Sequence, residues 1–131
     1  MPGSPVRILL VEDEAGVAET VVDLLKALGY EVVLFDSGEA ALEGMKAADP
    51  FDLLISDVVM PGMSGVELAC EARRVQPDMG VILTSGFSAS SLEEARQDLS
   101  DCIFLHKPYS MSDLSRSISE GLGARDGGVT A

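Results

Sequence analysis

With 131 residues, 47% of them hydrophobic and 24% charged, the chain is long enough for one domain with a buried core. Nine Lys+Arg against 22 Asp+Glu leave a formal charge of −13, which argues against direct contact with nucleic acid or an anionic membrane, because both attract clustered positive charge. The longest uncharged stretch, residues 79–92, is too short and too rich in Ser and Gly to cross a bilayer, and no signal-peptide pattern opens the chain, so the expected location is the cytoplasm.

Residues 1–5 read as a flexible leader. The first strand, residues 6–11, is a continuous apolar run ending in Glu12-Asp13. Val17, Val21, Leu24, Leu25 and Leu28 then recur at helical spacing, with Gly29 where a C-terminal stop belongs. A second strand at 31–35 is followed by Asp36 and Glu39, which have capping-box spacing for a second helix. The third strand, 52–56, runs into Asp57, and Ser64 with Glu67 marks the start of a third helix. The fourth strand, 80–84, ends in Thr84; Ser90 and Glu93 mark a fourth helix whose apolar stripe is thin. The fifth strand, 102–106, leads to Lys107-Pro108, and Leu114, Ile118 and Leu122 form a fifth helix followed by Gly123. Residues 124–131 read as a flexible tail or linker stub, leaving one domain over 6–123. Cys70 and Cys102 fit no metal spacing and are expected as free thiols in a reducing compartment.

Five strand–helix alternations imply an α/β fold: a flavodoxin-like (βα)5 doubly wound parallel sheet, strand order 2-1-3-4-5. In such sheets ligands bind outside the carboxyl ends of the strands. The acid pair Glu12-Asp13, the lone Asp57, the Thr84 hydroxyl and the Lys107 amine all stand at those ends. Asp57 is a candidate nucleophile, since a carboxylate can attack phosphorus to give an aspartyl phosphate. Beside two other acids it needs a cation. A hard oxygen site with few protein ligands suits Mg²⁺, or Mn²⁺ in its place. The divalent charge and the lysine together balance three carboxylates, so a phosphoryl group would meet a neutralised site.

These residues, in the runs Val11-Glu12-Asp13-Glu14, Asp57-Val58-Val59-Met60-Pro61-Gly62-Met63-Ser64-Gly65, Thr84-Ser85-Gly86 and Lys107-Pro108, resemble the receiver domain of two-component response regulators over roughly residues 5–122. The resemblance implies a phosphorelay module that is a signalling domain and not an enzyme, though it takes part in its own phosphotransfer and autodephosphorylation. It implies Asp57 as phosphoacceptor, with metal contacts from Asp13, Asp57 and the Val59 backbone carbonyl and a water-mediated one from Glu12. Thr84 and Lys107 would contact phosphoryl oxygens, and Lys107-Pro108 would carry a cis peptide. Thr84 and Phe104 would form the switch, with Phe104 lacking the hydroxyl of the Tyr often found there. The partners implied are a histidine kinase or histidine phosphotransfer protein, and a downstream protein at the face of the fourth helix, fifth strand and fifth helix. Val59 and Gly86 stand where the family tunes water attack; neither side chain can hold a water, which predicts slow-to-moderate self-dephosphorylation. The segments around Met60, Thr84 and Phe104 look most like receivers of hybrid histidine kinases, and some stand-alone receivers read similarly.

Each residue also has a plainer reading: Asp57 as a turn acid, Glu12-Asp13 as a solvated helix cap, Lys107 as a surface lysine, Thr84 as a β-branched strand residue. The sole histidine, His106, is explained by its place at a strand end, and Met60 with Met63 by loop packing. Competing functions are a pseudo-receiver that binds without phosphorylation, and a haloacid-dehalogenase-like phosphatase, which wants a second Asp where Val59 stands. No Gly-x-Gly-x-x-Gly follows the first strand, so a dinucleotide fold lacks its fingerprint.

Overall fold

The structure is a computed structural model that describes residues 6–47, 50–85, 102–107 and 109–125. In chain order these form β1 (Arg7–Val11), α1 (Ala15–Ala27), β2 (Glu31–Phe35), α2 (Gly38–Ala47), β3 (Leu53–Asp57), α3 (Gly65–Val75), β4 (Gly80–Ser85), β5 (Ile103–His106) and α4 (Met111–Arg125). The five strands are parallel in the order β2-β1-β3-β4-β5, as the alternation of elements predicts. The fourth helix expected from Ser90 and Glu93 lies outside the described residues, so α4 is the element expected from sequence as the fifth helix.

Side chains alternate between the two faces of the sheet. Leu9, Val11, Leu54, Val81 and Leu83 pack under α2 and α3 against Ala41, Met45, Leu68, Ala69 and Ala72. Ile8, Leu10, Leu53, Ile55, Ile82 and Leu105 point the other way, onto Val21 and Leu25 of α1 and Leu114 and Ile118 of α4. A strand buried on both faces has no room for polar alternation, which is why β1, β3 and β4 read as unbroken apolar runs. β2 lies at the sheet edge, and its Glu31 and Leu34 are exposed.

Helix ends follow local chemistry with two departures from expectation. α1 stops as the glycine predicts: Gly29 has φ 94°, its N–H donates to the Lys26 carbonyl, and the Tyr30 N–H donates to that of Leu25. That pair of bonds is a Schellman motif. Ser64 and Glu67 make the reciprocal capping box of α3. At α2, however, the cap is Ser37 and not Asp36. The Ala40 N–H donates to the Ser37 hydroxyl at 3.1 Å, which leaves Glu39 for another partner. Gly123 likewise does not end α4, which runs on to Arg125; only Gly29 and Gly62 among the described residues have positive φ, the conformation a glycine stop requires. Cys70 is exposed and Cys102 buried, and both are free thiols. No described helix is long and apolar enough to cross a membrane.

Candidate functional site

Strand register assembles the site. Asp57 and Thr84 are partners across β3 and β4, and partners on neighbouring strands project from the same face. The Val58 N–H donates to the Thr84 carbonyl at 2.8 Å, which ties the two strand ends together. The Thr84 hydroxyl then donates to Oδ1 of Asp57 at 2.6 Å. Lys107 follows β5, its amide bound to the Ser85 carbonyl at 2.8 Å. Its Nζ lies 2.6 Å from the same Asp57 oxygen and 3.4 Å from Oε1 of Glu12. Glu12 follows β1, and its other oxygen accepts the Glu14 N–H at 3.2 Å.

Burial sharpens the electrostatics. Glu12 is 6% exposed and Asp57 8%, while Asp13 is exposed. One carboxylate oxygen from each lies within 4.8 Å of the others. Burial first, then a hydrogen bond to Asp57 and its charge, push Glu12 up to about 7; the Glu14 N–H and the Lys107 charge offset part of this. Burial alone would lower the Lys107 ammonium, but the Asp57 hydrogen bond and charge, with Glu12, hold it above its usual value. Burial also raises the Tyr109 phenol, against the opposing Lys107 charge. The site therefore carries more negative charge than one ammonium balances. Three carboxylates within reach of one ion fit a hard divalent cation.

Glu12, Asp13, Asp57, Thr84 and Lys107 are thus brought together from four strand ends. Val59 lies on the loop beyond Asp57 and is 53% exposed. Phe104 is half-buried against the cluster under α2 and α3, in register with Leu83. His106 is exposed at the end of β5. Met60 is buried and accepts a 3.8 Å hydrogen bond at sulfur from the Ser56 hydroxyl, as loop packing predicts. Gly86 and Pro108 lie outside the described residues. Two contributors escape the sequence reading. Gly65 opens α3 so close to the sheet that a Cβ there would run into the Asp57 carbonyl, and its N–H donates to the Val58 carbonyl at 2.8 Å. A glycine directly after a serine cap, where better helix formers are available, was the available signal. Tyr109 feels the charges of Lys107, Asp57 and Glu12 and has no such signal.

Comparison with known proteins adds a second line. CpdR, a response regulator receiver protein of Brucella abortus (strain 2308), is 38% identical over 116 residues, spanning 88% of this chain and 96% of CpdR. The sensor kinase CckA of the same organism is 37% identical over 120 residues, which is 91% of this chain and only 13% of CckA. The response regulator receiver protein from Sinorhizobium medicae WSM419 superposes with a TM-score of 0.84 at 32% identity, covering 93% of this chain and 98% of that one. Residues 8–119 match the response regulator receiver domain, and by that match, these relatives and its sheet order the chain belongs to the receiver family of two-component systems.

Proposed function

We propose that this receiver accepts a phosphoryl group on Asp57 from the phosphohistidine of a histidine kinase or histidine phosphotransfer protein. The observation that carries the reading is the convergence of the Thr84 hydroxyl and the Lys107 ammonium on one Asp57 oxygen, each at 2.6 Å, beside Glu12 and Asp13. An Asp57 oxygen attacks phosphorus, the P–N bond breaks, and the imidazole nitrogen leaves with the electron pair. Thr84 and Lys107 move from the carboxylate to the oxygens of the acquired phosphoryl group, stabilising charge where it accumulates. Glu12, Asp13, Asp57 and the Val59 carbonyl would hold Mg²⁺ or Mn²⁺, which supplies the positive charge that lets an anionic donor approach the acids.

Phosphorylation draws Thr84 away from its present partner, and Phe104 responds by packing alone, since it has no hydroxyl to bond. The response reaches a protein-binding face that includes β5 and α4. Val59 shields the acyl phosphate partly from water and gives it a slow-to-moderate lifetime. The work is signalling and not enzymatic turnover, done in the cytoplasm without direct contact to nucleic acid. Likeness to a stand-alone regulator and to a segment of a sensor kinase supports the same donor chemistry in either setting.

Incubation with acetyl phosphate and Mg²⁺ followed by intact mass tests this. Wild type should gain one phosphoryl group; Asp57→Asn, and wild type with chelator, should gain none. An unmodified wild-type mass would favour a pseudo-receiver. Continuous release of inorganic phosphate from phosphomonoesters would favour the phosphatase, whose second aspartate is here the half-exposed Val59.

A further inference from the structure

We propose that Glu39, on α2 and outside the acidic cluster, is a positioning residue that holds the β3–α3 loop in its cation-binding shape. The inference rests on the reading of Asp57 and its acidic neighbours as a Mg²⁺ site. The two ends of this loop are secured by bonds of their own. Val58 donates to the Thr84 carbonyl, Gly65 donates to the Val58 carbonyl, and Ser64 is locked in its capping box. Between them lies the stretch from Val59, whose carbonyl is a proposed ligand, to Met63.

That stretch seats against the first turn of α2. The Met63 N–H donates to Oε2 of Glu39 at 3.3 Å. Gly62 has φ 75°, and a Cβ placed on it would lie 3.0 Å from the same oxygen. One residue earlier on α2, Gly38 is covered by the Met63 side chain, so that a Cβ there would meet the Met63 sulfur at 3.0 Å and its Cβ at 3.2 Å. Because Ser37 caps α2, the Glu39 carboxylate is released to reach across. Among the described residues the other side-chain hydrogen bond into this stretch is the 3.8 Å contact from Ser56 to the Met60 sulfur, a weak acceptor. A charged acceptor on a backbone N–H is the stronger of the two restraints. Without it the peptide after Gly62 can rotate, and the Val59 carbonyl rotates with the loop.

The test is calorimetric titration of Mg²⁺ into metal-free wild type, Glu39→Ala, Glu39→Gln and Asp57→Asn, with thermal melts and hydrogen exchange at the Met63 amide. Alanine is a good helix former, so the fold of Glu39→Ala is retained. Glu39→Ala should bind Mg²⁺ about three- to ten-fold more weakly and exchange the Met63 amide faster, with its melting point nearly unchanged. Glu39→Gln keeps an acceptor oxygen and should recover most of both properties. Wild-type affinity in Glu39→Ala, or a Glu39→Gln as weak as Glu39→Ala, overturns the positioning role. The Asp57→Asn arm separates the two ideas: Mg²⁺ binding by wild type that Asp57→Asn loses keeps the site reading standing even then, whereas a wild type that takes up no Mg²⁺ ends both.

Discussion

Glu12 sits almost enclosed between a carboxylate and an ammonium, and its proton links stability to pH. Its ordinary value of 4.5 rises to about 7 in the fold, so the folded state holds this proton more tightly than the unfolded chain. The resulting contribution is fully present below pH 4.5 and is lost as pH rises through about 7. In chelator, wild type should therefore lose stability across that window relative to Glu12→Gln, by at most about 1.4 kcal/mol per pH unit. Paired thermal melts of the two proteins across the window measure the difference; parallel curves would argue against a raised proton affinity at Glu12. Glutamine keeps the size of the side chain and cannot ionise, so it isolates the charge from the packing.

The elements explain how much of the site the sequence discloses. Strand ends were legible because a two-sided core forces unbroken apolar runs, and each chemically useful residue directly follows one. The stop at Gly29 and the cap at Ser64 were legible because both are satisfied within a few residues of chain. The cap of α2 was not. Asp36 and Ser37 are adjacent, and Glu39 could close a box with Asp36 on spacing alone. The contact that takes Glu39 elsewhere comes from Met63, 24 positions away. Tertiary competition of this kind leaves no local mark. Gly65 is intermediate: its identity was visible, but the Asp57 carbonyl that demands it was not. Gly65→Ala should force α3 away from the end of β3, costing about 1–3 kcal/mol and slowing acetyl phosphate labelling of Asp57. Urea melts and timed mass spectra check the two effects; unchanged labelling with lowered stability would show that α3 can shift without disturbing the acceptor.

Across the whole molecule, the acid pocket and a separate set of clamping contacts occupy opposite rims of the sheet. The acids, Thr84 and Lys107 stand at the carboxyl ends of parallel strands, so the amino ends lie on the far side. There Arg7 at the start of β1 gathers its neighbours. Its side chain pairs with Glu31 at 2.6 Å, donates to the Pro50 carbonyl at 3.0 Å and covers the Phe51 ring with its guanidinium 4.5 Å from the centroid. Its amide donates to Asp52 at 2.8 Å. Gln76 closes the same corner, bonding both the N–H and the carbonyl of Phe51. Glu31 is half-exposed, so solvent screens the ion pair, and Arg7→Ala should cost only about 1–2 kcal/mol in a denaturant melt. Mg²⁺ affinity and the rate of labelling at Asp57 should stay as they are, because the lost contacts are at the distal rim. If labelling falls with stability, the two rims are mechanically coupled. If it does not, substitutions around Arg7 offer a thermostat for chimeras and sensors built on this scaffold, adjustable without retuning the acid pocket.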